Sequence, residues 1–521
     1  MAFINFLLVY HMKSFFLIIS LFVFSFSISS QESTYRNPVI QGDFPDPTVI
    51  RVGDMYYAAG TSSEFNPPYR LFQSRDLVNW ESLGGLFKDI PEWTMGSYWA
   101  PELFYKDGTF FVYYTARRKS DQKSYIGVAT TKDITQGFTD HGLIVEWTTE
   151  AIDAFAIELD GKVYLSWKAY GLDPGRQIEL LCSELTPNGL AITGDVWTLI
   201  KADDDTWEGG AIEGQCLVKR DDHIYMFYAG AGCCGRNCDY MTGVARAKDI
   251  RGPWIKYQNN PILVGDDNWS CSGHGTLVET PNNKHFFLYH AYNSSTNVYT
   301  GREAMLDEVV WDEKTGWPYF RYGETPSLQA ETPYPGTVQK EITHADVNTI
   351  PWIWPVTEAK PQMEIKGESL TLEGNDSPTG MFLGFRVLKG NYLLQATVEP
   401  SSTTSGISLY GSADQAVGVS LSGNKIELWL VNKGQRTVID SKQITSGKDV
   451  TLCVQTSFGQ YCQFGYKGED NKYNTLGEYV HVKQLINWNS PAIAGVQVKG
   501  TGKAVFKKIT VDYGSNSQVW R

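Results

Sequence analysis

The chain has 521 residues, 45 of them basic and 58 acidic, for a formal net charge of −13. That length exceeds what a single core ordinarily fills, so two domains are expected. The acidic balance argues against nucleic acid or an anionic membrane surface as partner.

The first predicted element is a leader. "MKSFFLIISLFVFSFSISSQ" starts at Met12 with a lysine, runs through an apolar stretch and ends in small residues. This predicts a secretory signal peptide within residues 1–30, with Met12 an alternative start. The competing reading is a membrane anchor, which "FINFLLVY" upstream would lengthen. The short apolar core after Lys13 and its Ser-rich end favour the signal. The mature protein is then expected in the periplasm or outside the cell, with no stable membrane insertion after cleavage. Export permits disulfides. Cys453 and Cys462 flank a hairpin-like segment and either pair or lie buried. Cys233, Cys234 and Cys238 in "AGCCGRNC" are too few for a local zinc site and favour disulfide or free thiol.

Beyond residue 35 no helical period is visible. Aromatics make up 13% of the chain, and 49 glycines punctuate it, a texture that suits short strands. One pattern recurs five times: "VGDMYYAAG" at 52, "KDGTFFVYYTA" at 106, "LDGKVYLSWKA" at 159, "RDDHIYMFYAG" at 220 and "PNNKHFFLYHA" at 281. Five strand–turn–strand repeats over residues 35–320 predict a five-bladed β-propeller. Ahead of the repeats stand Asp46, Glu102, Asp153, Glu213 and His274. Innermost propeller strands line a central axis, so these residues are expected to ring one funnel, and a ring of acids is a functional-site candidate. In "VIQGDFPDPTVI" the prolines at 45 and 47 would clamp Asp46, whereas Asp43 reads as a solvated turn residue.

Residues 321–360 are Pro-rich and read as a linker packed on the propeller. From 361 to 515 longer alternating strands with Gly and Asn turns predict a β-sandwich of the jelly-roll kind. The expected fold is therefore all-β, a propeller followed by a sandwich.

Taken together, "NPVIQGDFPDPTVIRVGDMYY", "WAPEL", "EAIDAFAIELDGKVYLSW", "GGAIEGQCLVKRDDHIYMFYAG" and "SGHGTLVE" resemble glycoside hydrolase family 43. The sandwich is similar to the concanavalin-like C-terminal domain of family members that act on xylosides and arabinosides. The resemblance implies an inverting glycosidase with a carbohydrate substrate. Asp46 matches the general base, Glu213 the general acid, and Asp153 the residue that orients the acid and raises its pKa. Inversion places acid and base about 6.5–9.5 Å apart, with a water between. Arg302 matches an arginine beside the sugar, and Phe44 and Trp99 are candidate sugar platforms. His274 matches a histidine that supports calcium through waters; a hydrogen-bonded core histidine is an equal reading, and no other cofactor is implied. Glu208 in "WEGG" is a decoy for the acid, one strand start too early. Ala154 and Gln215 depart from the family's usual residues and cloud the substrate more than the activity. The leading expectation is exo cleavage of terminal α-L-arabinofuranosyl or β-D-xylosyl units. A catalytically inert sugar-binding propeller is the alternative. A retaining fructan-cleaving propeller is a third reading, and its N-D-P-N and R-D-P motifs are missing from this sequence.

Overall fold

The computed structural model describes residues 33–445, 447–486, 490–514 and 517–520. The leader expected in residues 1–30 lies outside the described residues. No helix among the described residues is long and apolar enough to cross a membrane.

Five four-stranded antiparallel sheets follow one another along the chain, each running outward in sequence order. Their innermost strands are Thr48–Val52, Trp99–Lys106, Ala151–Leu159, Ile212–Arg220 and Trp269–Glu279. Tight turns join them to the second strands. Asp107–Gly108 and Asp160–Gly161 both carry positive φ at each residue, the geometry that lets a two-residue turn follow the twist of its strands. Aromatic residues of neighbouring blades interlock, as Phe227 of the fourth does with Phe287 of the fifth.

The funnel mouth is built by a defect repeated five times. One residue near the start of each inner segment is left-handed: Asp46, Ala100, Asp153, Gly214 and His274, with φ of 51°, 39°, 56°, 60° and 40°. In blades two to five the strand register breaks at that place. Such bulges bend a strand and re-aim its side chains. The true repeat-equivalent residues are thus Ala100 and Gly214 rather than Glu102 and Glu213.

Residues 321–360 act as a strap. Gln329–Glu331 pairs with Thr34–Arg36, Trp354–Pro355 with Phe65–Asn66, and His344–Asp346 with Lys503–Asp512 of the second domain. That domain is a sandwich of two sheets. One contains Met363–Lys366, Ser369–Glu373, Tyr392–Val398, Val450–Ser457, Tyr461–Lys467, Tyr473–His481 and Lys503–Asp512. The other contains Met381–Phe385, Thr404–Asn432 in three strands, Gln435–Gln443 and Ile493–Lys499. Its core of Leu394, Val454, Phe464, Ile407, Val419 and Val496 runs on into Tyr240, Tyr292 and Tyr299 of the propeller. Cys453 and Cys462 are buried free thiols. They face Gly465 and Thr456 across the hairpin, not each other. Cys233 pairs with Cys234, and Cys238 with Cys271.

Asp43 is a correction. It is 2% exposed, not a solvated turn. Its carboxylate is ion-paired to Arg386 of the sandwich and accepts the Arg302 backbone N–H at 3.0 Å. Nearby, Glu303 accepts the Gly42 N–H at 2.9 Å. Burial pushes the Glu303 carboxyl up to about 7, helped by Asp43 and opposed by that hydrogen bond. A carboxyl raised on folding holds its proton more tightly in the folded state. Its full stability is present below the unfolded value of 4.5 and is lost as pH rises through 7. Glu303→Gln keeps the acceptor for Gly42 and removes the charge. Denaturant unfolding should show the variant no more stable than wild type at pH 4 and more stable at pH 8, by up to on the order of 3 kcal/mol. Equal pH dependence of the two proteins would refute the assignment.

Candidate active site

Three carboxylates and one histidine meet at the mouth. The Nδ1 of His274 lies 3.6 Å from Asp46 Oδ1 and 3.7 Å from Asp153 Oδ2. Gly214, beside Glu213, has no side chain for a steric reason: a Cβ there would lie 2.6 Å from the His274 ring. Its N–H donates to Asp153 Oδ2 at 3.2 Å. Asp46, Asp153, Glu213 and His274 are therefore brought together. Glu102 is not. It is 5% exposed and turned between blades one and two, where Thr48 Oγ1 donates to it at 2.8 Å. Burial raises its pKa well above the carboxylate range. Glu208 is buried within blade four on Lys256 and Tyr228, both at 2.7 Å.

Each carboxyl has its own environment. Burial opposes the charge on Asp46. Arg302 Nη1 donates to its Oδ1 at 2.9 Å, Thr61 Oγ1 donates to its Oδ2 at 2.6 Å, and two histidines lie beside it. The Arg302 guanidinium and these neighbours prevail and hold Asp46 well below the usual carboxylate range. Arg302 is 3% exposed, so its partner is Asp46 rather than a surface ion. Asp153 is pushed up to about 7, first by burial and further by Glu213, with His274 and Lys168 opposing. Burial also disfavours charge on Glu213. There the Lys168 ammonium at 2.7 Å and the Tyr240 hydroxyl at 2.8 Å outweigh it and lower the pKa. Asp153 and Glu213 thus shift in opposite directions. The direction for Glu213 differs from the sequence expectation because a buried cation, Lys168, is paired with it.

The sequence reading missed Lys168, Tyr240, His290, Thr61 and Thr115. A signal for several of them was present. In blades one, two and five the second strand ends at a polar residue whose side chain reaches the next blade. Thr61 Oγ1 accepts the Ala100 N–H at 2.8 Å, Thr115 Oγ1 accepts the Asp153 N–H at 3.1 Å, and His290 Nδ1 accepts the Asp46 N–H at 3.1 Å. These contacts lock the left-handed residues in place. Burial pushes the His290 imidazole down to about 4, with Arg302 adding to the effect and Asp46 opposing it, so it is neutral and accepts. In sequence these residues are the odd polar position closing an aromatic run, as in "FVYYTA" and "FFLYHA", whereas the fourth repeat has Ala229 there.

Two of the candidate platforms part company. Phe44 is fully buried, edge-on to Phe72 at 5.1 Å in the core under blade one. It cannot meet a sugar. The run that carries it turns Asp46 to the funnel and Phe44 inward. Trp99 is partly exposed at the first position of the second inner strand. Among the described residues no group of three His, Cys, Asp or Glu side chains gathers as a metal site. These residues do not fit a directly ligated calcium, and no chemical step is derived through one.

The sequence matches the family described as glycosyl hydrolases family 43 over residues 35–318, more than half of the chain. The chain belongs to glycosyl hydrolases family 43. It is a glycosidase of this family, and its propeller coincides with the matched region. One relative is a non-reducing end alpha-L-arabinofuranosidase of Bacteroides ovatus, 25% identical over 512 residues and aligned over 92% of both chains. Another is a xylan 1,3-beta-xylosidase of a Vibrio species, 29% identical over 334 residues, which cover 58% of this chain and 60% of the relative. Among solved structures, the GH43 protein BlXynB of Bacillus licheniformis superposes with a TM-score of 0.79 at 23% identity, over 92% of this chain and all of that one. That likeness covers the propeller and the sandwich together and concerns the fold.

Proposed function

We propose that this glycosidase is exported, acts from chain ends with inversion, and removes terminal α-L-arabinofuranosyl or β-D-xylosyl units from plant polysaccharide or its oligosaccharides. The observation that carries the reading is the convergence of Asp46, Asp153 and Glu213 around His274 with unlike proton affinities. In the proposed step the Asp46 carboxylate takes a proton from a water. The water oxygen attacks the anomeric carbon, and Glu213 gives its proton to the departing oxygen. Asp153 orients the acid through the backbone of Gly214. Arg302 keeps Asp46 ionised and Trp99 supplies the platform. The two pentosides are favoured because the two relatives above carry those activities in their names. The leader-like stretch after Met12 supports export.

The test is hydrolysis of p-nitrophenyl α-L-arabinofuranoside and β-D-xyloside by the mature protein. Release of nitrophenol from one of them would name the sugar, and an initial product of inverted anomeric configuration would support the mechanism. Folded protein that is inert on both, and on arabinan and xylan oligosaccharides, would overturn the reading in favour of a sugar-binding propeller. Glu213→Ala discriminates further. Nitrophenolate is a good leaving group and needs little protonation, so the variant should lose far less on the aryl glycoside than on an oligosaccharide. The gap should be about 10²-fold or more in kcat/KM. Equal losses on both substrates would remove Glu213 from the acid role.

A further inference from the structure

Lys168 departs from the pattern of blades one, two and five. Thr61, Thr115 and His290 each offer an acceptor to the left-handed residue of the next blade. Lys168 occupies the corresponding end of the third blade's second strand, Lys162–Ala169, and an ammonium has no acceptor to offer. The Gly214 N–H turns instead to Asp153. Lys168 Nζ sits 2.7 Å from Glu213 Oε2 and 3.9 Å from Glu150 Oε1. The three side chains are nearly closed to solvent, with exposures of 12%, 17% and 9%. Glu150 Oε1 has no hydrogen-bond partner among the described residues. A buried carboxylate oxygen without a partner is costly, and a lysine stem with its terminal cation one step away is a mobile means of relieving that cost.

We propose that Lys168 is a positioning residue with two seats, resting its ammonium on Glu213 in the free protein and moving it to Glu150 when a leaving group occupies the mouth. The inference rests on the glycosidase reading and deepens it. Glu213 cannot serve as an acid while it is an ionised partner of Lys168. Transfer of the ammonium by about an ångström, well within the reach of a flexible four-carbon stem, frees Glu213 to take a proton from solvent. The same transfer gives Glu150 its missing partner. The other groups facing Glu213 are Asp153 from blade three, Tyr240 from its own blade and His274 from blade five, with Asp46 and His290 beyond them. None of these is placed between two carboxylates with an ammonium to give.

The experiment is the pH profile of kcat/KM for wild type, Lys168→Met, Glu150→Gln and the double variant. It is paired with isotope-edited infrared titration of the glutamate carboxyls, with Glu213→Gln identifying the Glu213 band. Lys168→Met removes the cation that keeps Glu213 ionised, so the alkaline limb should move to higher pH. Glu150→Gln removes the second seat and confines the ammonium to Glu213, so the limb should move to lower pH. Relative to its own optimum, each variant should differ from wild type on that limb by about threefold or more, in opposite directions. The double variant removes the Glu150 charge together with the cation, so only Glu213 has lost its ammonium and the fold is less perturbed than in Lys168→Met; it should follow the Lys168→Met profile. Shifts in the same direction, or none, would overturn the two-seat arrangement while leaving the glycosidase reading intact. A wild type inert on every glycoside would instead sink that reading. The infrared titration then decides for Lys168: opposite displacement of the Glu213 band sustains its two seats, and parallel or absent displacement refutes them.

Discussion

Asp46→Asn should lower kcat/KM by about 10²–10⁴-fold on aryl and natural glycosides alike, the span that a positioned general base contributes. Asparagine is the informative replacement for three reasons. Asp46 has φ of 51°, and asparagine tolerates left-handed backbone where alanine is strained. Its amide oxygen can still accept from Arg302, which bonds Oδ1 of the aspartate at 2.9 Å, while its amide nitrogen takes the place of Oδ2 and turns to the Thr61 hydroxyl, a group that accepts as well as donates. Alanine would strand the Arg302 guanidinium, 3% exposed, without its partner, and would mix a folding defect with a chemical one. The loss should also be independent of leaving group, because the base acts on water and not on the departing oxygen. This separates it from the Glu213 variant. A thermal midpoint close to wild type with activity reduced this far places Asp46 in the chemistry. Retention of more than about a tenth of the activity would remove it from the base role.

What the sequence made legible follows from how each feature is encoded. The five blades were readable because a period-two aromatic run closed by a two-residue turn is a local signal, as at Asp107–Gly108. Asp46, Asp153 and Glu213 were readable because each sits in a short motif ahead of such a run. Their exact equivalence was not. Glu102 looks like a ring member in "WAPEL", yet the left-handed residue of that segment is Ala100, and the bulge there sends Glu102 to Thr48. A bulge depends on pairing with a strand several residues away and leaves no mark on composition. Phe44 was misassigned for a related reason. It lies two residues from the base, but the proline-flanked turn directs it to Phe72 in the core. The lowered pKa of Glu213 was hidden too. It depends on Lys168, which is 45 residues from Glu213 in the chain and resembles any lysine at the end of a strand.

Asp43 carries the other large effect, because it joins the two domains to the base. Arg386 of the sandwich pairs with its carboxylate and also donates to the Ser62 carbonyl at 3.1 Å. The same carboxylate accepts the backbone N–H of Arg302, the residue that grips Asp46, and the Asp43 carbonyl accepts from Arg70 at 2.8 Å. Gly301 presses against this carboxylate with φ of 85°, and a Cβ there would lie 2.2 Å from Asp43 Oδ1, so there is no slack for repacking. Arg386 and Asp43 are both almost without exposure, at 2% and 3% for their side chains. Removing one member of such a pair leaves a buried charge and ordinarily costs about 3–5 kcal/mol. Arg386→Met should therefore lower the unfolding free energy read from denaturant titration by that order. It should also reduce kcat, since Asp43 would relax and release the Arg302 backbone that sets the guanidinium on Asp46. The double variant Arg386→Met/Asp43→Asn removes both charges. It should recover much of the stability while kcat stays low, because an amide holds the Arg302 N–H less firmly than a carboxylate. If kcat recovers along with stability in the double variant, the pair serves only to hold the domains together. If it does not, the sandwich takes part in catalysis by fixing the geometry of the base.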